Sequence, residues 1–78
     1  MRAAYLEAAH LYRMGKIGAA GAALVRANEK LARNLAVLGP RTSTVLASLK
    51  AALDAQARGD TVRLADVLEY ELAPELAD

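Results

Sequence analysis

Ile17, Leu24, Leu31 and Leu38 recur every seven residues, with Leu35 on the same stripe. Positions seven apart return to nearly the same side of an α-helix of about 3.6 residues per turn, so the run predicts one long helix with a single apolar seam. Such a seam is stable only against other helices. The composition agrees, because the chain is 55% hydrophobic yet lacks Phe and Trp. Its apolar mass is mostly Ala and Leu, which are strong helix formers.

Glycine and proline divide the chain into four helices. The first is expected at 2–14 and stops at Gly15, since a glycine can take the left-handed conformation that closes a helix C-terminus. The second is expected at 17–38 and ends at Gly39-Pro40, a stop followed by a residue that cannot continue a helix. The third, at 42–58, has Thr42 or Ser43 as its cap and Gly59 as its end. The fourth, at 61–73, is capped by Asp60 or Thr61 and kinks or frays past Pro74. Short connections make neighbours antiparallel. The expected architecture is a single all-α domain over 1–78, an antiparallel bundle of two helical hairpins.

Placed around a helix, Tyr5, Ala8, Leu11 and Tyr12 share one face of the first helix, opposite Glu7, His10, Arg13 and Met14. The third helix is expected to bury Val45, Leu46, Leu49, Ala52 and Leu53 and to expose the ladder Lys50, Asp54 and Arg58. The fourth is expected to bury Val62, Leu64, Ala65, Leu68, Leu72 and Leu76, leaving Val67 and Tyr70 beside Arg63 on the far side as a second contact surface. Asn28 falls among the leucines of the second helix. A buried amide there needs a hydrogen-bond partner, and it could fix helix register.

Seventy-eight residues bury only roughly 60% of their unfolded surface, which leaves a small core. There is no cysteine for a disulfide, and no Cys/His cluster for a structural metal. Association with a second chain is the remaining common remedy, so a homodimer is expected, with another protein as a further partner. The net charge of +1 hides an asymmetry. Nine cations precede Gly59 against Glu7, Glu29 and Asp54, whereas Asp60, Asp66, Glu69, Glu71, Glu75 and Asp78 then oppose Arg63 alone. Opposite-sign segments guide the orientation of packing more than they add stability. The N-terminus lacks the apolar core of a signal peptide, and no stretch approaches the roughly 20 apolar residues that span a bilayer, so a cytoplasmic protein without membrane contact is expected.

Chemistry finds little purchase. Glu7 and His10 have the Glu-x-x-His spacing of carboxylate-bridged di-metal bundles, but the wheel puts them on the outward face. One histidine, no cysteine, and serines at 43 and 48 give no nucleophile with an oriented base. Gly15, Gly18 and Gly21 lack the preceding strand of a nucleotide-binding loop. No enzyme, no cofactor and no metal are expected. Arg26, Lys30 and Arg33 form a basic stripe without neighbouring aromatics, which makes nucleic-acid association the alternative function.

Two stretches carry resemblances. Ala8, Gly15, Ala20, Leu24 and Ala27, with Tyr12 before the turn and Ile17 after it, resemble a tetratricopeptide helical hairpin, although Glu7-Ala8 stand where that family has Leu-Gly. Ala52, Gly59, Leu64 and Leu68 echo the pattern 44 residues later. Residues 59–76, Gly-Asp-Thr-Val-Arg-Leu-Ala-Asp-Val-Leu-Glu-Tyr-Glu-Leu-Ala-Pro-Glu-Leu, resemble the C-terminal signature of small uncharacterised bacterial helical proteins. Some of those are encoded near motility functions, so the resemblance implies an adaptor or chaperone-like role and assigns no residue a task. The expected function is a self-associating, non-enzymatic protein-interaction module.

Overall fold

Both hairpin turns close as the glycines require. Gly15 and Gly59 take φ of +74° and +70°, and the amides of Lys16 and Asp60 reach back to the carbonyls of Leu11 and Ala55 at 3.0 and 2.9 Å. This pattern satisfies carbonyls that the helix end would orphan. A computed structural model describes residues 1–77, and Asp78 lies outside the described residues. It contains α1 (Arg2–Arg13), α2 (Ile17–Arg33), a short α3 (Leu35–Leu38), α4 (Thr42–Ala57) and α5 (Thr61–Asp66). From α5 the last helix runs on as a π-helical stretch, Val67–Leu72, and a 3₁₀ turn, Ala73–Glu75. No strand occurs among the described residues. The all-α arrangement of two hairpins is therefore present.

Local chemistry explains each departure from the expected boundaries. The second helix does not run unbroken to Leu38. Asn34 leaves helical geometry (φ −121°, ψ 17°), and its side-chain amide donates to the Lys30 carbonyl at 2.7 Å. Asparagine competes with the helix in this way because its short amide reaches the backbone. Neither Thr42 nor Ser43 caps α4: Arg41 holds that position, and the Thr42 hydroxyl donates to the Gly39 carbonyl at 2.8 Å. Asp60 caps α5 as expected, accepting from the Arg63 amide at 3.0 Å. Near Pro74, which brings no amide hydrogen, the Ala73 amide bonds the Leu68 carbonyl five residues back. Leucines spaced by four drift around a helix of about 3.6 residues per turn. The wider π turns cancel that drift, and Leu64, Leu68, Leu72 and Leu76 are all buried.

The packing order is α2, α1, last helix, α4. Helix α1 lies against both α2 and the last helix, and α4 lies against the last helix, whereas α2 and α4 make no comparably close approach. Extents of 34 × 18 × 17 Å give a square cross-section, two helices by two, so the α2–α4 side is the loosest edge of the bundle. Alanine supplies much of the buried face: Ala8 and Ala9 on α1, Ala20, Ala23 and Ala27 on α2, and Ala52 and Ala55 on α4. Small side chains let backbones approach closely, and this selects the inward face of each helix.

That choice moves several residues from where periodicity puts them. Leu24, Leu31 and Leu38 are buried, but Ile17, at the start of the seam, and Leu35 within it are exposed. On α4, Val45 is buried and Leu49 half-buried, while Leu46 and Leu53 are nearly half exposed. Val62 is 71% exposed in the first turn of α5, and Val67 is fully buried. Val67 therefore does not belong to an outward ridge. The last helix is covered by α1 on one side and α4 on the other, so its buried arc is wide and turned toward Val67 rather than Val62.

Asn28 has found its partner. The buried Tyr5 hydroxyl donates to Asn28 Oδ1 at 2.7 Å, bridging α1 and α2 within one chain. Burial pushes the Tyr5 hydroxyl up from 10.0 to about 12, so folding favours the neutral phenol. Its contribution is complete below the unfolded value of 10.0 and is lost as pH rises through about 12. Tyr5→Phe is expected to cost about 1 kcal/mol through the missing hydrogen bond. It is also expected to flatten the alkaline fall in thermal midpoint, measured by circular dichroism. An unchanged alkaline profile would show that another group sets it.

Candidate interaction surface

The two helices that make no close approach to each other, α2 and α4, both carry exposed apolar residues. At about 100° per residue, the buried alanines of α4 lie to one side of Val45, and Leu49, Leu53 and Leu46 lie to the other. On α2, Ala20, Ala23 and Ala27 fall to one side of Leu24, and Val25 and Ala32 to the other. On α4, Leu46, Leu49 and Leu53 thus form a flank away from the buried alanines, and the core leaves that flank partly exposed. Val25 is 56% exposed, Leu46 46% and Leu53 47%. Leu46 and Leu53, seven residues apart, share one face of α4, which distinguishes them from the isolated exposed apolar residues that any surface has. The sequence signal for this flank is the i, i+3, i+7 set Leu46, Leu49 and Leu53, which periodicity alone assigns to the core.

Charge divides along the same line. Helices α2 to α4 with their turns hold Lys16, Arg26, Lys30, Arg33, Arg41, Lys50 and Arg58 against Glu29 and Asp54. None of these cations is ion-paired among the described residues. The opposite half, α1 and the last helix, holds Glu7, Asp60, Asp66, Glu69, Glu71 and Glu75 against three arginines, all engaged. Arg13 pairs with Asp66 and Glu69 at 3.1 Å each, and Arg63 pairs with Glu71 at 3.0 Å. The Asp66 hydrogen bond, with Glu69 adding to it, raises the Arg13 pKa further above its ordinary value. Arg2 Nε donates to the carbonyls of Ala73 and Leu76 at 3.2 and 3.0 Å, tying the start of the chain to its last turn. One half thus carries seven cations without an ion pair, and in the other the ion pairs join Asp66, Glu69 and Glu71 to arginines.

Of the expected outward ridge, Tyr70 remains, 66% exposed with the Arg13 guanidinium 5.6 Å from its ring centre. Arg63 is exposed but held by Glu71, and Val67 is in the core. Between Tyr70 and Leu6 lies a hollow of about 330 Å³, bordered also by Arg2, Glu69, Ala73 and Pro74. A second, of about 460 Å³, lies where the two hairpin turns meet, with the exposed Ile17 and Val62 at its edge. Comparison of the chain with protein-family models, curated proteins and solved structures found no match. Glu7 and His10 are exposed on α1. Among the described residues, no three His, Cys, Asp or Glu side chains converge as a metal site would require, and no helix is long and apolar enough to cross a membrane.

Proposed function

We propose that the protein is a non-enzymatic interaction module that works by helix packing, and that another copy of itself is among its partners. The supporting observation is that Val25 on α2 and Leu46 and Leu53 on α4 stay about half exposed, on two helices that make no close approach to each other. Covering these residues would add apolar burial to a core that is small for want of chain length. With the resemblance of residues 59–76, the proposal extends to an adaptor or chaperone-like role in the cytoplasm. Light scattering on a sizing column tests it. The wild-type protein is expected to rise above the mass of one chain with concentration, and Leu53→Asp to remain at one chain with unchanged helicity. A wild-type protein that stays monomeric throughout the series overturns self-association.

A second reading rests on the uncompensated cations of α2 to α4: nucleic-acid association through Arg26, Lys30 and Arg33. Phosphate binding releases counterions, so such affinity would fall steeply with salt. Absent or salt-insensitive binding to a DNA or RNA duplex removes this reading.

A further inference from the structure

We propose that two copies of this chain exchange hairpins, the first hairpin of each, residues 2–33, packing against the last helix of the other. Such exchange uses none of the exposed leucines, so it is independent of the surface contact above. Close contact between the two hairpins is made by α1 alone, against the three parts of the last helix. Helices α2 and α4, which the linker joins, make no comparably close approach. The contact that unites the bundle can therefore be supplied by a second copy with identical residues on both sides.

The linker, residues 34–41, is held weakly in its bend. Leu38 is its one buried residue, while Leu35 and Val37 are 39% and 70% exposed. Gly39 takes φ +56° and ψ −127°, the conformation of the first central residue of a type II′ turn, which glycine adopts and residues with a side chain rarely do. A residue before proline otherwise favours extended backbone, so opening the linker releases Gly39 from its turn. Straightened, its eight residues span up to about 26–29 Å, more than the 18 × 17 Å cross-section of the bundle. That reach carries a hairpin onto a neighbouring copy. Two exchanged copies complete each other reciprocally, so the assembly closes at two chains. The contacts between helices are the same in both forms, which leaves linker strain and concentration to decide between them. Parting the hairpins strips α1 from the last helix, whose Leu64, Leu68 and Leu72 are buried. Concentrating folded protein therefore does not produce the exchange, and refolding at high concentration does.

Thiol cross-linking after refolding tests the exchange. The chain has no cysteine, so Arg13→Cys with Asp66→Cys places two thiols on either side of the contact between α1 and the last helix, where the native side chains meet at 3.1 Å. An exposed ion pair contributes little, so its loss is tolerated. Leu6→Cys with Tyr70→Cys, exposed residues bordering one hollow, is a second pair should the first fail to fold. Each pair is combined with Leu53→Asp to remove the surface contact, refolded from urea at low or high concentration, and treated with a short bismaleimide. On a denaturing gel, closed chains give a band of one chain and exchanged chains a band of two. The two-chain band is expected at high concentration and absent at low, and chains with one thiol control for chance encounter. Gly39→Ala, which strains the closed bend and not the open linker, is expected to raise a small two-chain fraction by about tenfold or more. No two-chain band from either pair overturns the exchange, and so does a fraction that Gly39→Ala leaves unchanged or lowers. Native protein that grows in mass on the sizing column while neither pair cross-links between chains keeps the surface contact and loses the exchange. The reverse result keeps the exchange and loses the surface contact.

Discussion

Leu68→Ala is expected to remove about 2–5 kcal/mol of stability, the range for emptying a fully buried leucine site. Leu68 is 0% exposed and sits in the π-helical stretch, which touches both α1 and α4. The truncation therefore opens a void where the two hairpins join. Domains hold roughly 0.05–0.15 kcal/mol per residue, so a chain this short has only about 4–12 kcal/mol in all. The variant should show a much lower urea midpoint with a similar slope, and partial unfolding at low denaturant if the wild type lies near the bottom of that range. A midpoint within experimental error of wild type would mean that the last helix is not the joint between hairpins.

Ala27→Leu is expected to destabilise by about 1–3 kcal/mol even though it adds apolar surface. Ala27 is 0% exposed on α2, which packs closely against α1. The larger side chain must push the helices apart, which would also strain the hydrogen bond from Tyr5 to Asn28. Val25→Leu, on the opposite flank of the same helix and 56% exposed, is the control and should change stability by no more than about 0.5 kcal/mol. Paired thermal melts distinguish close alanine packing from a loosely filled seam. Equal behaviour of the two variants would count against the alanine contact.

Helix number, turn positions and the all-α class follow from Gly15, Gly39-Pro40 and Gly59, because a glycine stop is a local backbone event that needs no knowledge of the partner. The direction in which each helix faces does not follow so directly. Periodicity gives the angles between side chains and orients the wheel by its leucines, whereas the packed molecule orients α2 and α4 by their alanines. That single difference carries Leu46 and Leu53 from the expected core to the flank. The last helix has a second cause of error. A uniform helix with one covered side would place Val67 outward with Tyr70, but two neighbours and the change of pitch at Val67 bring it in. Asn28 is recognisable from sequence as a polar residue in need of a partner. Its partner, Tyr5, lies 23 residues away and is identified only once the α1–α2 pairing is in place.

The π-helical stretch also bears on how this chain can change in length. Its turns hold more residues than the α-helical path would, so removing one residue between 67 and 72 lets the segment rewind as ordinary helix, with Leu72 and Leu76 still turned inward. The same excision in the middle of α2 would swing every later position by about 100° and take the buried leucines out of line. A one-residue deletion near Tyr70 is thus expected to cost far less helicity, read by circular dichroism, than the same deletion within α2.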